Sequence, residues 1–188
     1  MGWISDWFIK KESEFIEKHG SIPEYFEKKR KNSSTIASSN ILEYSSQQFE
    51  PAYGSLVYTE LGFGLAEHSG IYIGNKQIID LDGAGRIKKR SLSEFTSNIS
   101  TFNYEIYVPC YDGENTPIGY YQAGWNAEQK LAESRSYNLL FDNCHQFSAG
   151  CITGDFENNS NFLTFLKDDF QRAVRVDKIV WRKWNWKN

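Results

Sequence analysis

The sequence predicts an α+β fold in which an antiparallel sheet packs against helices, on three observations. Short β-rich runs broken by Gly, Asn and Asp succeed one another from Gly54 to about Pro109. Helical periodicity follows from Thr116 onward, and an amphipathic stripe opens the chain. The 188 residues suit one domain with extensions, and 40% apolar with 24% charged residues, at a mean hydropathy of −0.58, describe a water-soluble chain with a buried core. The apolar runs fall far short of the ~18 residues that cross a bilayer. The opening MGWISDWFIKKE carries Asp6 and Glu12 and no secretory pattern, so a cytoplasmic location is expected.

Each element has its own signal. Residues 3–18 gather Trp3, Ile4, Trp7, Phe8, Phe15 and Ile16 near one stripe, which predicts an amphipathic helix. Pro23 fits the first turn of a second helix reaching about Lys31, and KNSSTIASSN then reads as a polar connection. These make residues 1–50 a helical extension. The runs SLVYTE, HSGIYIG, QIIDL, RIKK and YEIYVP predict a meandering antiparallel sheet. Ser91 and Glu94 have capping-box spacing and open one short helical turn. Helical patterns then run over 116–132, 143–152 and 160–170, closing a domain over 51–170.

Residues 171–188 form a basic, Trp-rich C-terminal tail with six basic groups and one acid, against a body of opposite net charge. Trp181, Trp184 and Trp186 alternate with Arg182, Lys183 and Lys187, a composition that suits a membrane interface or tryptophans folded back onto the domain or onto a partner chain. One short basic segment on an acidic body does not make a nucleic-acid-binding protein. Lys88, Lys89 and Arg90 read as a solvated strand edge.

The three cysteines, Cys110, Cys144 and Cys151, are odd in number and lack CxxC spacing, which argues against a disulfide framework and a structural zinc site. Asn143 is a good N-cap and places Cys144 in the first turn of a helix, where exposed N–H groups and the helix dipole favour thiolate. Cys144, Phe147, Ser148 and Cys151 equally fit the buried stripe of that helix. A nucleophilic thiol needs a base, and the chain offers His19, His68 and His145. His145 follows Cys144 directly, and neighbours on a helix point about 100° apart. His19 beside Gly20 suits a helix C-terminus. His68 remains. If Gly74-Asn75-Lys76 is a three-residue hairpin loop, Ile73 faces Gln77 and His68 lies diagonally across from Asp80 on one sheet face. Asp80 would then fix the tautomer of the His68 ring; a surface histidine beside a solvated acid is the competing reading.

In chain order, Tyr53-Gly54-Ser55-Leu56-Val57, Glu67-His68-Ser69-Gly70-Ile71-Tyr72-Ile73-Gly74, Tyr137-Asn138-Leu139 and Asp142-Asn143-Cys144-His145-Gln146-Phe147 resemble the lecithin:retinol acyltransferase (LRAT-like) family over roughly residues 51–155. Cys151-Ile152-Thr153-Gly154 is similar to the continuation in its bacterial members. The resemblance implies a circularly permuted papain-like fold shared with NlpC-type peptidases, Cys144 as nucleophile, His68 as general base and no metal or organic cofactor. Four positions depart from the pattern. Asp80 stands where many animal members have a second histidine, Cys144-His145-Gln146-Phe147 replaces Cys-Glu-His-Phe, and Asp142 replaces a frequent Asn. An Asp orients imidazole in other triads, so the expected set is Cys144, His68 and Asp80.

The function expected from the resemblance is a thiol hydrolase or acyltransferase acting on an acyl ester or amide, lipid by preference, with peripheral membrane contact through the terminal aromatics. An NlpC-type thiol peptidase or amidase is the enzymatic alternative. A non-catalytic interaction module that retains the fold, with homodimerisation through the end aromatics, is the other.

Overall fold

The computed structural model describes residues 49–61, 66–97, 104–131, 133 and 143–187. The N-terminal helices expected over 3–18 and 22–31 with their polar connection, His19, the 137–139 motif and Asp142 lie outside the described residues.

Six strands are described: β1 (Leu56–Leu61), β2 (Ala66–Tyr72), β3 (Gln77–Leu81), β4 (Ile87–Ser91), β5 (Ile106–Tyr111) and β6 (Ile179–Trp184). They form one antiparallel sheet in the order β4-β3-β2-β1-β5-β6. Four helices are described: α1 (Leu92–Thr96), α2 (Tyr121–Gln129), α3 (Cys144–Thr153) and α4 (Leu163–Val174). The architecture is α+β.

Strand alternation divides the core in two. Leu56, Tyr58, Ile71, Ile79 and Leu81 pack beneath α2, α3 and α4, with Phe147, Leu166 and Phe170 filling the space between. Val57, Tyr72, Ile78, Ile106 and Val108 turn the other way, against Leu92 and Phe95 of α1 and Trp184. Helix α3 is buried from Cys144 to Ile152, so it lies between the sheet and the two flanking helices. Its glycine at 150 lets Phe156 approach, because a Cβ there would stand 2.5 Å from the ring.

The β2–β3 hairpin holds its register by its turn. Ile73 N–H donates to Gln77 C=O (3.0 Å), Gln77 N–H to Gly74 C=O (3.0 Å), and Lys76 N–H to the Tyr72 hydroxyl (3.0 Å). Ile71 pairs with Ile79 and Tyr72 with Ile78, the register that a Gly74-Asn75-Lys76 loop implies. The short helix α1 opens on a capping box, with Ser91 Oγ accepting from Glu94 N–H and the Glu94 carboxylate from Ser91 N–H.

Two segments differ from the sequence reading. The helix expected from Thr116 starts at Tyr121, because Pro117 bridges Cys110 and Ile118 N–H donates to Pro109 C=O (2.8 Å), which continues the edge of β5. The segment set apart by charge as a tail supplies β6, paired with β5 from Ile106–Trp184 to Tyr111–Ile179. Trp181 tilts against Tyr58 and Phe170, and Trp184 meets Tyr72 edge-on. Lys183 reaches Glu105 at 2.7 Å on the exposed side. Among the described residues no helix is long and apolar enough to cross a membrane.

Gly70 sits on β2 two residues after His68, and a Cβ there would stand 2.6 Å from Ile78 Cγ2 and 2.9 Å from the Ile79 carbonyl oxygen. Gly70→Ala should therefore cost about 2 kcal/mol and lower the thermal midpoint by roughly 5 °C, followed by circular dichroism. An unchanged midpoint would contradict this packing of β2 on β3.

Candidate active site

Cys144 is the first residue of α3, and Asn143 caps that helix: its Oδ1 accepts from His145 N–H (2.9 Å) and Gln146 N–H (3.1 Å). Phe147 N–H donates to the Asn143 carbonyl (3.1 Å). The remaining first-turn donor, Cys144 N–H, meets no acceptor among the described residues. Asn143 Nδ2 donates to Asn161 C=O (3.2 Å), and Gln146 Nε2 to Asn158 C=O (2.6 Å), so the start of α3 is fixed to the segment that leads into α4.

His68 is the third residue of β2 and Asp80 the fourth of β3. Their side chains meet as the register requires, with His68 Nε2 2.7 Å from Asp80 Oδ2. That bond occupies Nε2 and leaves Nδ1 as the nitrogen free to serve the thiol. The His68 ring lies 5.0 Å from the Phe95 ring, which supports its other side. The sulfur of Cys144 is 4.0 Å from the Glu67 carbonyl, one residue before His68. Cys144 and His68 are each 6% exposed and Asp80 is 0% exposed.

The structure adds residues that the sequence reading passed over. Arg90 is not a solvated edge residue: its Nε donates to Asp80 Oδ1 at 2.8 Å, with its side chain 15% exposed. The signal was present, since Asp80 faces Lys88 and Arg90 is the diagonal neighbour, the rule that pairs His68 with Asp80. Lys88 instead reaches Asp82 at 3.3 Å. His145 does approach the thiol, with Nδ1 3.9 Å from Cys144 Sγ. The same nitrogen lies 2.9 Å from Ser69 Oγ.

Burial alone would raise the Cys144 pKa, yet the His145 and His68 imidazoles, through charge and hydrogen bonding, hold it well below its ordinary value. Burial alone would lower the His68 pKa, while Cys144 and the hydrogen bond to Asp80 raise it to about 10. Both shifts describe a thiolate beside an imidazolium. Cys110 shows the opposite behaviour of an unassisted buried thiol, pushed up to about 11 by burial. Cys151 is fully buried on α3.

Three buried side-chain atoms lack a hydrogen-bond partner among the described residues: Thr59 Oγ1, Gln146 Oε1 and Asn161 Oδ1. All adjoin the site, since Thr59 pairs with His68 across β1 and β2, and Asn161 holds the N-cap residue. Among the described residues no cluster of His, Cys, Asp or Glu is arranged to hold a metal ion.

The ion pair makes stability depend on pH in both directions. An ordinary imidazole loses its proton near 6.5 and an ordinary thiol near 9.0, whereas the folded chain keeps the His68 proton to about 10 and loses the Cys144 proton well below 9.0. Below pH 6.5, over the range where the folded Cys144 is already ionised, the unfolded chain holds one proton more, and stability rises with pH. From 6.5 to 9.0 the counts are equal and stability is level; above 9.0 the folded chain holds one more, and stability falls toward pH 10. Urea midpoints of wild type minus Cys144→Ala should trace this plateau; a difference independent of pH would contradict the pair.

Comparison with known proteins gives no family-model match and no significant match to a curated protein or a solved structure.

Proposed function

We propose that the chain is a cysteine-dependent hydrolase or acyltransferase acting on an acyl ester or amide, with lipid the preferred substrate class, through a thioester on Cys144. The observation that carries this reading is the capped helix start that places the buried Cys144 sulfur beside an imidazole whose far nitrogen is bonded to Asp80 at 2.7 Å. A helix whose cysteine served only packing would not need two imidazoles and, among the described residues, an N–H without an acceptor at the same point. The fold in this reading is a circularly permuted papain-like one of LRAT-like kind. It is supported by the antiparallel sheet, by histidine preceding cysteine in the chain, and by the cysteine-bearing helix packed on that sheet.

The chemistry runs in two halves. The thiolate sulfur attacks the carbonyl carbon, forming a C–S bond and placing negative charge on the carbonyl oxygen. Cys144 N–H, at the positive end of α3, is the donor available to that oxygen. Collapse breaks the C–O or C–N bond, and His68 gives its Nδ1 proton to the departing oxygen or nitrogen. Water or an acceptor hydroxyl or amine then attacks the thioester, delivers its proton to His68, and releases Cys144 as thiolate. Asp80, held on its other oxygen by Arg90, keeps the imidazole in one orientation through both halves.

The lipid preference rests on Phe162 and Phe165, 66% and 53% exposed and packed edge to face at 6.0 Å. Phe162 directly follows Asn161, whose carbonyl accepts from the N-cap residue of the nucleophile helix. Two solvent-facing aromatic rings at that position suit an acyl chain or the surface of a cytoplasmic membrane leaflet.

Incubation of the full chain with a p-nitrophenyl acyl ester, followed by peptide mass spectrometry, tests the reading. It predicts an acyl adduct on Cys144, labile to hydroxylamine, absent in Cys144→Ala and formed about 100-fold or more slowly in His68→Ala. Equal labelling of Cys110 and Cys151, or an adduct rate indifferent to His68, would overturn it.

A further inference from the structure

We propose that His145 is a second working imidazole of this site, its Nδ1–H held by Ser69 so that it donates to the Cys144 thiolate while His68 alone exchanges a proton with the substrate. The inference rests on the reading of Cys144 as nucleophile and deepens it by dividing the duties of the two rings.

The hydrogens around one hydroxyl decide the arrangement. Ser69 Oγ has three neighbours: the Cys144 carbonyl at 3.1 Å, His145 Nδ1 at 2.9 Å and Ser148 Oγ at 3.1 Å. A serine hydroxyl has one proton to give and two lone pairs to receive with. A carbonyl can only accept, and in this proposal the Ser69 proton is placed on Cys144 C=O. Both remaining neighbours must then donate, which assigns a proton to His145 Nδ1 and directs the Ser148 hydroxyl toward Ser69. Ser69 is 0% exposed, so no solvent hydroxyl substitutes for these partners.

An N–H at Nδ1 can be shared between Ser69 Oγ and Cys144 Sγ, 3.9 Å away, and it offers the sulfur a donor. It cannot accept the thiol proton, because that nitrogen's lone pair is already used. His68 has the complementary arrangement, with Nε2 tied to Asp80 and Nδ1 left over. The two rings are therefore not interchangeable. Four further groups bear on the sulfur or on its two imidazoles. Glu67 lies on β2, with burial raising its pKa; Asp80 on β3 and Arg90 on β4 stand behind His68; and Lys167 on α4 faces Glu67. Glu67 is the only one of these that opposes the thiolate directly, through like charge.

The pH dependence of iodoacetamide alkylation at Cys144, read by mass spectrometry on the full chain, separates the roles without any substrate. His145→Ala should move the midpoint up by about one pH unit, and thus slow alkylation about tenfold at a pH below both midpoints. His145→Asn, whose side-chain amide N–H can occupy the Nδ1–H position, should restore most of that loss, which a merely structural role would not do. Ser69→Ala keeps both imidazoles and releases the Nδ1–H, so its midpoint should rise as well. A low wild-type midpoint that moves with His68→Ala but with neither His145→Ala nor Ser69→Ala overturns the role of His145 and leaves the Cys144–His68 reading intact. A wild-type midpoint at the ordinary thiol value, unmoved by His68→Ala, overturns both.

Discussion

The bond between His68 Nε2 and Asp80 Oδ2 joins the fold to the chemistry. It exists because β2 and β3 pair with Ile71 opposite Ile79, and a slip of one residue would send Asp80 to the opposite face of the sheet. The hairpin turn that fixes this register contains Gly74, Asn75 and Lys76, all with positive φ, and the Tyr72 hydroxyl secures it from below. Register, tautomer and the availability of His68 Nδ1 are thus one constraint seen at three levels. The core supports the same register, since Ile71 and Ile79 point into the helix side while Tyr72 and Ile78 point toward α1.

Burial makes this constraint costly to disturb. A carboxylate at 0% exposure, such as Asp80, loses hydration worth on the order of several kcal/mol, and its charge persists only where it is answered. His68 answers one oxygen and Arg90 the other. Beyond His68 stands the Cys144 thiolate, so positive and negative groups alternate from β4 through β3 and β2 to the start of α3. Such a series acts as a unit: removing one member leaves its neighbour buried and unanswered, which costs more than the pair itself contributes. The covered position of the sulfur also explains why helix capping matters here, because among the described residues Asn143 engages the first-turn N–H groups of His145, Gln146 and Phe147 and leaves that of Cys144.

Local rules were legible in the sequence where one interaction decides the outcome. Asn143 caps α3, Ser91 and Glu94 close a capping box, and a three-residue loop sets the Asp80 diagonal. The misses share a different cause. Strand β6 has Trp181 and Trp184 among cations, and its aromatic and basic composition obscured a strand whose pairing partner, β5, lies some seventy residues earlier. Pro117 read as the beginning of a helix, but its neighbours continue the hydrogen bonding of β5. Arg90 reads as a surface cation because charge runs are usually solvated, although its diagonal position matches that of His68. For His145 the 100° separation describes Cβ directions; the ring spans that angle because Ser69, on the strand below, draws Nδ1 toward the sulfur.

The central claim is that a thiolate and an imidazolium stand together inside the folded chain at neutral pH. Nitrogen-15 NMR of the His68 ring at pH 8, in wild type and in Cys144→Ala, tests it most directly. The account predicts both ring nitrogens protonated in wild type, with a large fall in the His68 titration midpoint once the sulfur is removed. A neutral His68 ring that titrates near its ordinary value of 6.5 in both proteins would contradict it.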